Sequence, residues 1–154
     1  MHTFRILVVD DETDFLETIV NRLNKRKLDA QGVTSGEAAI DLLKEALFDV
    51  ILLDIKMPGG MDGIETLREI KRIQPLAEVL LLTGHASVET SIEGMKQGAF
   101  DYLLKPMKFE DLLTKMAQAF EKKATQDKKI RDAKIQELIR YPSRVFEQEK
   151  IKNE

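Results

Sequence analysis

Five short aliphatic runs separated by longer segments of helical period constrain this chain more than any other feature. The runs are Phe4 to Val9, Leu28 to Val33, Val50 to Leu53, Val79 to Leu82 and Phe100 to Leu104. Strands that alternate with helices in this way build β/α units around a parallel sheet. A helix is predicted over residues 13–26, with Phe15, Ile19, Val20 and Leu23 on its apolar side. Thr34 and Glu37 stand at capping-box spacing, with Ser35 as an alternative N-cap, before Ala38, Ala39, Leu42 and Leu43. Asp62 and Glu65 repeat that spacing before Ile64, Leu67, Ile70 and Ile73, and Pro75 closes the segment. Ser87 is a candidate cap for a helix carrying Val88, Ile92 and Met95, ended by Gly98. Phe109, Leu112, Leu113, Met116, Ala117 and Phe120 form a last amphipathic stripe. The second run, diluted by Asp29, Gln31 and Gly32, suits an edge strand. Right-handed crossovers then predict the order 2-1-3-4-5 in a doubly wound sheet.

A length of 154 residues, 43% of them hydrophobic, suffices for one domain with a sizeable core plus an appendage. The expected division is a globular domain over 1–121 and a helical extension and tail over 122–154. Beyond Phe120 no Gly or Pro interrupts the chain until Pro142, so the last helix is expected to reach about Arg140 and to project from the body. Residues 1–120 carry 14 basic and 20 acidic side chains, and residues 121–154 carry 10 and 7. The basic tail mixes both signs along a helix without interleaved aromatics, so nucleic acid is not an expected partner. The seam Phe120, Ala124, Asp127, Arg131, Lys134 and Leu138 is too polar for a strict coiled coil, and Ile130, Ile135, Leu138 and Ile139 are expected to contact a partner or a second copy, a homodimer through the C-terminal helix. Cysteine is absent, which excludes disulfides and thiolate metal sites. The aliphatic runs are too short to span a bilayer and the first residues do not read as a signal peptide, so a cytoplasmic location is expected.

Open parallel sheets bind ligands where strands end at their carboxyl edge. Here the first strand leads into Asp10 and Asp11, the third into Asp54, the fourth into Thr83 and the fifth into Lys105. Carboxylates gathered at one point repel one another, and a hard divalent cation relieves that cost. Mg²⁺ suits all-oxygen ligands and commonly shares its remaining positions with phosphate oxygens. A Lys and a hydroxyl beside it add the charge stabilisation that phosphoryl transfer requires, and an uncommitted carboxylate is a candidate nucleophile.

With Val8-Val9-Asp10-Asp11, Leu53-Asp54-Ile55-Lys56-Met57-Pro58, Leu82-Thr83-Gly84-His85 and Asp101-Tyr102-Leu103-Leu104-Lys105-Pro106 in order, the chain resembles response-regulator receiver domains of two-component signalling over about residues 4–121. The stretch from Thr83 to Pro106 looks like receivers of nitrogen-regulation-type, sigma-54-dependent transcriptional activators. The resemblance implies a flavodoxin-like (βα)5 fold, and a function of accepting a phosphoryl group from a histidine kinase or phosphotransfer protein and switching protein contacts. It implies that Asp54 is the phosphoacceptor, that Asp11 and the Lys56 backbone carbonyl are Mg²⁺ ligands along with Asp54, and that Asp10 holds the metal through water. Thr83 and Lys105 match the hydroxyl and cation that follow the phosphoryl group, and Tyr102 the aromatic that moves inward on activation. Such a domain catalyses only its own phosphorylation and dephosphorylation.

Plainer roles stand beside these. Asp10 and Asp11 could merely favour a helix N-terminus, Thr83 could end a strand, Tyr102 could be a core aromatic, and His85, single in its loop, reads as an exposed histidine. Two other functions compete: a Mg²⁺-dependent phosphatase with an aspartyl-phosphate intermediate, which would need a substrate-enclosing cap, and the receiver of an activator lacking its output domain. One departure concerns the loop after Pro58. Gly59-Gly60 precede Met61-Asp62-Gly63 where the family usually has one Gly, a change expected to bear on metal affinity or phosphoryl lifetime.

Overall fold

A computed structural model describes residues 3–84 and 88–140. Its elements are β1 (Arg5–Val9), α1 (Thr13–Lys25), β2 (Asp29–Val33), α2 (Gly36–Leu43), β3 (Val50–Asp54), α3 (Gly63–Ile73), β4 (Glu78–Thr83), α4 (Val88–Lys96), β5 (Asp101–Leu104) and α5 (Phe109–Arg140). The five strands form one parallel sheet in the order β2-β1-β3-β4-β5. The polar β2 lies at an edge, as expected, whereas β3 and β4 are buried at every residue. Expected strand limits are met to within about one residue.

Alternation along the strands divides the core between two faces. Leu7, Val9, Ile51, Leu53, Val79 and Leu81 pack with Ala39, Ile40 and Leu43 of α2 and Leu67 and Ile70 of α3. Ile6, Val8, Val50, Leu52, Leu80 and Leu82 face Leu16, Ile19 and Leu23 of α1 and Leu112, Met116, Ala119 and Phe120 of α5. Side chains also tie loops to this frame. Gln74, buried after α3, donates to the carbonyls of Leu43 and Ala46 and accepts from the Phe48 amide, satisfying backbone groups that the turn before β3 leaves without ladder partners. At the amino edge, Asp49 accepts from the Arg5 amide and lies 3.6 Å from Lys123, while Glu78 lies 3.4 Å from Lys122.

Several helix faces differ from expectation. Ser35, not Thr34, caps α2, its hydroxyl accepting from the Ala38 amide, and Ile40 rather than Ala38 is buried. In α5, Ala119 is buried and Ala117 exposed. The apolar residues of α4, Val88, Ile92 and Met95, are exposed, and the helix instead buries Ser91 and Gly94. A Cβ at position 94 would run into the Leu81 side chain, so α4 approaches the sheet through its smallest residues. Asp62 caps α3 as predicted, accepting from the Glu65 amide at 2.9 Å. The proposed Ser87 cap, His85 and Pro142 lie outside the described residues.

The chain separates into two compact units, Met1–Lys123 and Ala124–Glu154. In the second, the described residues are helical to Arg140 and expose Ile130, Ile135, Leu138 and Ile139. No described helix is long and apolar enough to cross a membrane.

Candidate functional site

Asp10 follows β1 because its amide extends the ladder by one bond, donating to the Val33 carbonyl at 3.1 Å. One carboxylate oxygen of this fully buried residue accepts from the Glu12 amide at 2.9 Å at the entrance of α1. The other receives Lys105 Nζ at 2.7 Å, across 95 positions of sequence. The helix-terminus role of Asp10 and its convergence with Lys105 therefore coexist. Asp11, one residue on, is exposed beside it.

Asp54 is the last residue of β3 and only 4% exposed. Its Oδ1 accepts from the Lys56 amide at 3.2 Å, and its Oδ2 lies 3.7 Å from Lys105 Nζ. One carboxylate oxygen each from Asp10, Asp11 and Asp54 fall within 4.8 Å of one another. Three hard oxygen donors this close suit a divalent cation such as Mg²⁺, which would offset the repulsion among them. Burial pushes the Asp54 carboxyl up to about 6, with Asp10 adding to the rise and Lys105 and the Lys56 amide opposing it. For Lys105, burial favours the neutral amine, but its hydrogen bond to Asp10 and the attraction of Asp54 hold its pKa above the ordinary value.

Thr83, fully buried at the end of β4, donates to the Gly84 carbonyl at 3.0 Å. The Lys105 amide donates to the Thr83 carbonyl at 2.7 Å, so the end of β4 fixes where β5 delivers its lysine. Tyr102 is half-buried against the α2/α3 side of the core. The geometry thus brings Asp10, Asp11, Asp54 and Lys105 together at the carboxyl edge, with Lys56 held to Asp54 through its amide.

Two participants escape the sequence reading. Phe15 lies under Lys105, its ring centroid 4.3 Å from Nζ, although periodicity marks it only as an apolar helix residue. Glu37, read as part of a capping box, instead accepts from the Met61 amide in the β3–α3 loop at 2.6 Å. An acidic residue in a first helical turn gives no sequence signal for so distant a partner.

Comparison with known proteins is consistent over most of the chain. Residues 6–117 match the family model described as the response regulator receiver domain. The transcriptional regulatory protein ZraR of Escherichia coli is 40% identical over 114 residues, which is 74% of this chain and 26% of that protein. The chain thus spans about a quarter of the length of that curated relative. Among solved structures, a response regulator receiver domain protein from Clostridium thermocellum is 35% identical with a TM-score of 0.76, covering 80% of this chain and 98% of that one. A chain described as adenylate cyclase from Rhodopirellula baltica is 29% identical with a TM-score of 0.81, covering 86% and 98%.

Proposed function

The chain belongs to the response regulator receiver domain family of two-component signalling, and on that premise we propose that it accepts a phosphoryl group on Asp54 from the phosphohistidine of a sensor histidine kinase or phosphotransfer protein. The observation that carries this reading is the position of Asp54, a nearly buried carboxylate between an acidic pair and the Lys105 ammonium. A nucleophile must keep a free oxygen, and the two atoms of Asp54 differ: Oδ1 is engaged by the Lys56 amide, while Oδ2 faces Lys105. One Asp54 oxygen attacks phosphorus, the P–O bond forms as the P–N bond of phosphohistidine breaks, and the departing imidazole takes a proton. Hydrolysis of the acyl phosphate by water regenerates the carboxylate.

Asp10, Asp11, Asp54 and the Lys56 carbonyl would hold Mg²⁺. Bound there, the ion supplies positive charge for the phosphoryl oxygens. Lys105 adds a second charge by leaving its contact with Asp10, and the Thr83 hydroxyl exchanges the Gly84 carbonyl for a phosphoryl oxygen. Tyr102 then follows Thr83 inward and alters a surface read by protein contacts. An aspartyl-phosphate phosphatase is not favoured by the family match, and the chain turns over no substrate but its own phosphoryl group. In this reading the receiver occupies residues 1–121, the helical extension residues 122–154, and the protein works in the cytoplasm.

An acyl phosphate such as acetyl phosphate supplied with Mg²⁺ should place one base- and hydroxylamine-labile phosphoryl group on each chain, and chelation of Mg²⁺ should prevent it. Mass spectrometry reads the result; no label at saturating donor and Mg²⁺ overturns the reading.

The exposed Ile130, Ile135, Leu138 and Ile139 support a homodimer through the C-terminal helix. Helices without tertiary packing are marginal in water, which favours their association. The dimer is weak or phosphorylation-dependent because the seam is polar. Light scattering should show full-length protein gaining mass with a beryllofluoride phosphoryl mimic and a chain truncated after Lys123 remaining monomeric. Monomeric full-length protein in both states at high concentration sinks the dimer.

A further inference from the structure

The loop from β3 to α3 carries the Lys56 carbonyl and contains two successive glycines, both in the left-handed region: Gly59 at φ +79° and Gly60 at φ +67°. Glycine permits this conformation, but an unfastened glycine pair also samples many others. Three hydrogen bonds are among those that fasten the loop. At its base, the Gly63 amide donates to the Ile55 carbonyl at 3.2 Å, in a contact so close that a Cβ on Gly63 would lie 2.5 Å from the Ile55 backbone. At the entrance of α3, Asp62 accepts from the Glu65 amide. Beyond the glycines, the Met61 amide donates 2.6 Å to Glu37 Oε1, which belongs to a different helix, α2. Only the last of these crosses from the loop to a separate element through a charged side chain.

The fit around Glu37 is close. A Cβ on Gly60 would stand 2.5 Å from the same Oε1, so the second glycine leaves room for the carboxylate as well as permitting the turn. The Met61 amide, foremost, and Glu37's own amide hold the carboxyl below its usual range, as expected for an anion receiving backbone N–H groups at a helix start. At the other end of the segment, Met57 is buried and the Lys56 amide is bound to Asp54. The segment between Met57 and Met61 is therefore anchored at both ends, by the core and Asp54 on one side and by the packed Met61 side chain and Glu37 on the other.

We propose that Glu37 is a positioning residue for the metal centre: by clasping Met61 it holds the two-glycine loop in the conformation that presents the Lys56 carbonyl beside Asp54. The inference rests on the reading that Mg²⁺ binds at Asp54. A metal ligand on a loop that must be ordered upon binding costs affinity, whereas a loop already ordered does not. Glu37 touches neither metal nor substrate and acts through backbone geometry.

The test is a Mg²⁺ titration of the full chain followed by the amide resonance of Lys56, with hydrogen exchange at the Met61 amide measured in parallel. Glu37→Ala should accelerate Met61 exchange and raise the Mg²⁺ dissociation constant by about 3- to 10-fold, below the 10–100-fold typical of groups that touch a ligand directly. Glu37→Gln, which keeps an acceptor of the same reach, should restore most of the affinity, and the shorter Glu37→Asp should not. Unchanged Mg²⁺ affinity in Glu37→Ala despite a released Met61 amide overturns the inference, as does weakened affinity with Met61 exchange unchanged. Wild type must bind Mg²⁺ saturably and lose it in Asp11→Asn. If wild type does not bind, the metal reading itself fails and the inference fails with it.

Discussion

Asp54→Asn is expected to abolish phosphoryl labelling and, in the same molecule, to raise the stability of the metal-free protein at pH 7 by up to about 3 kcal/mol. The two effects share one cause. In the proposed reading Asp54, 4% exposed and close to Asp10 and Asp11, takes a cation and a phosphoryl group, and without them such a carboxylate is costly to ionise. Its pKa rises from 3.8 to about 6 on folding, so between those values the folded state binds more protons than the unfolded state. Stability contributed by this group is therefore lost as pH rises through that window, and the penalty is complete above about pH 6. Asparagine retains an oxygen for the Lys56 amide and carries no charge. Denaturant unfolding in a chelator should show the variant's advantage absent near pH 4, growing to about pH 6, and flat beyond. Equal stability at pH 7 would refute the crowding argument, and full-stoichiometry label on another residue would refute the acceptor assignment.

Lys105→Met should slow Mg²⁺-dependent labelling by about 100- to 1,000-fold, the range for removing one group aimed at developing oxyanion charge. Label that does form should remain on Asp54. The same variant should destabilise the metal-free protein at neutral pH by about 3 kcal/mol, because fully buried Asp10 loses its 2.7 Å ion pair and Asp54 the ammonium 3.7 Å away. Mg²⁺ should recover much of that stability by supplying positive charge to the same oxygens. Rapid-quench labelling and paired melts with and without Mg²⁺ check both parts. A wild-type labelling rate would remove Lys105 from the proposed chemistry.

Strand order and the convergence of Asp10, Asp11, Asp54 and Lys105 were legible because they follow from two strong regularities: aliphatic runs mark buried parallel strands, and right-handed crossovers bring their carboxyl ends together. The helix faces were harder. Periodicity assigns the larger apolar residues of α4 to a buried side, yet Gly94 and Ser91 win because space over Leu81 admits only small groups, a property of the assembled sheet. Glu37 shows the same limit in polar form. Three residues from Thr34, it satisfies a local capping pattern, while its partner Met61 lies 24 positions away and is brought near only when α2 and α3 pack together. Local patterns find elements and their ends; contacts made between elements require the fold.

The arrangement of α4 bears on how a domain of this kind diversifies. Its inward side presents two small residues, Ser91 and Gly94, while Val88, Ile92 and Met95 are 41%, 53% and 39% exposed. Exchanges at such surface positions usually change stability by no more than about 0.5 kcal/mol. Exchange there is less constrained than at Gly94, where an added Cβ would stand 2.3 Å from the Leu81 side chain. Copies of such a domain can thus vary the outer face of this helix while keeping the acidic carboxyl edge of the sheet unaltered, so surface divergence need not begin with the loss of a stable fold.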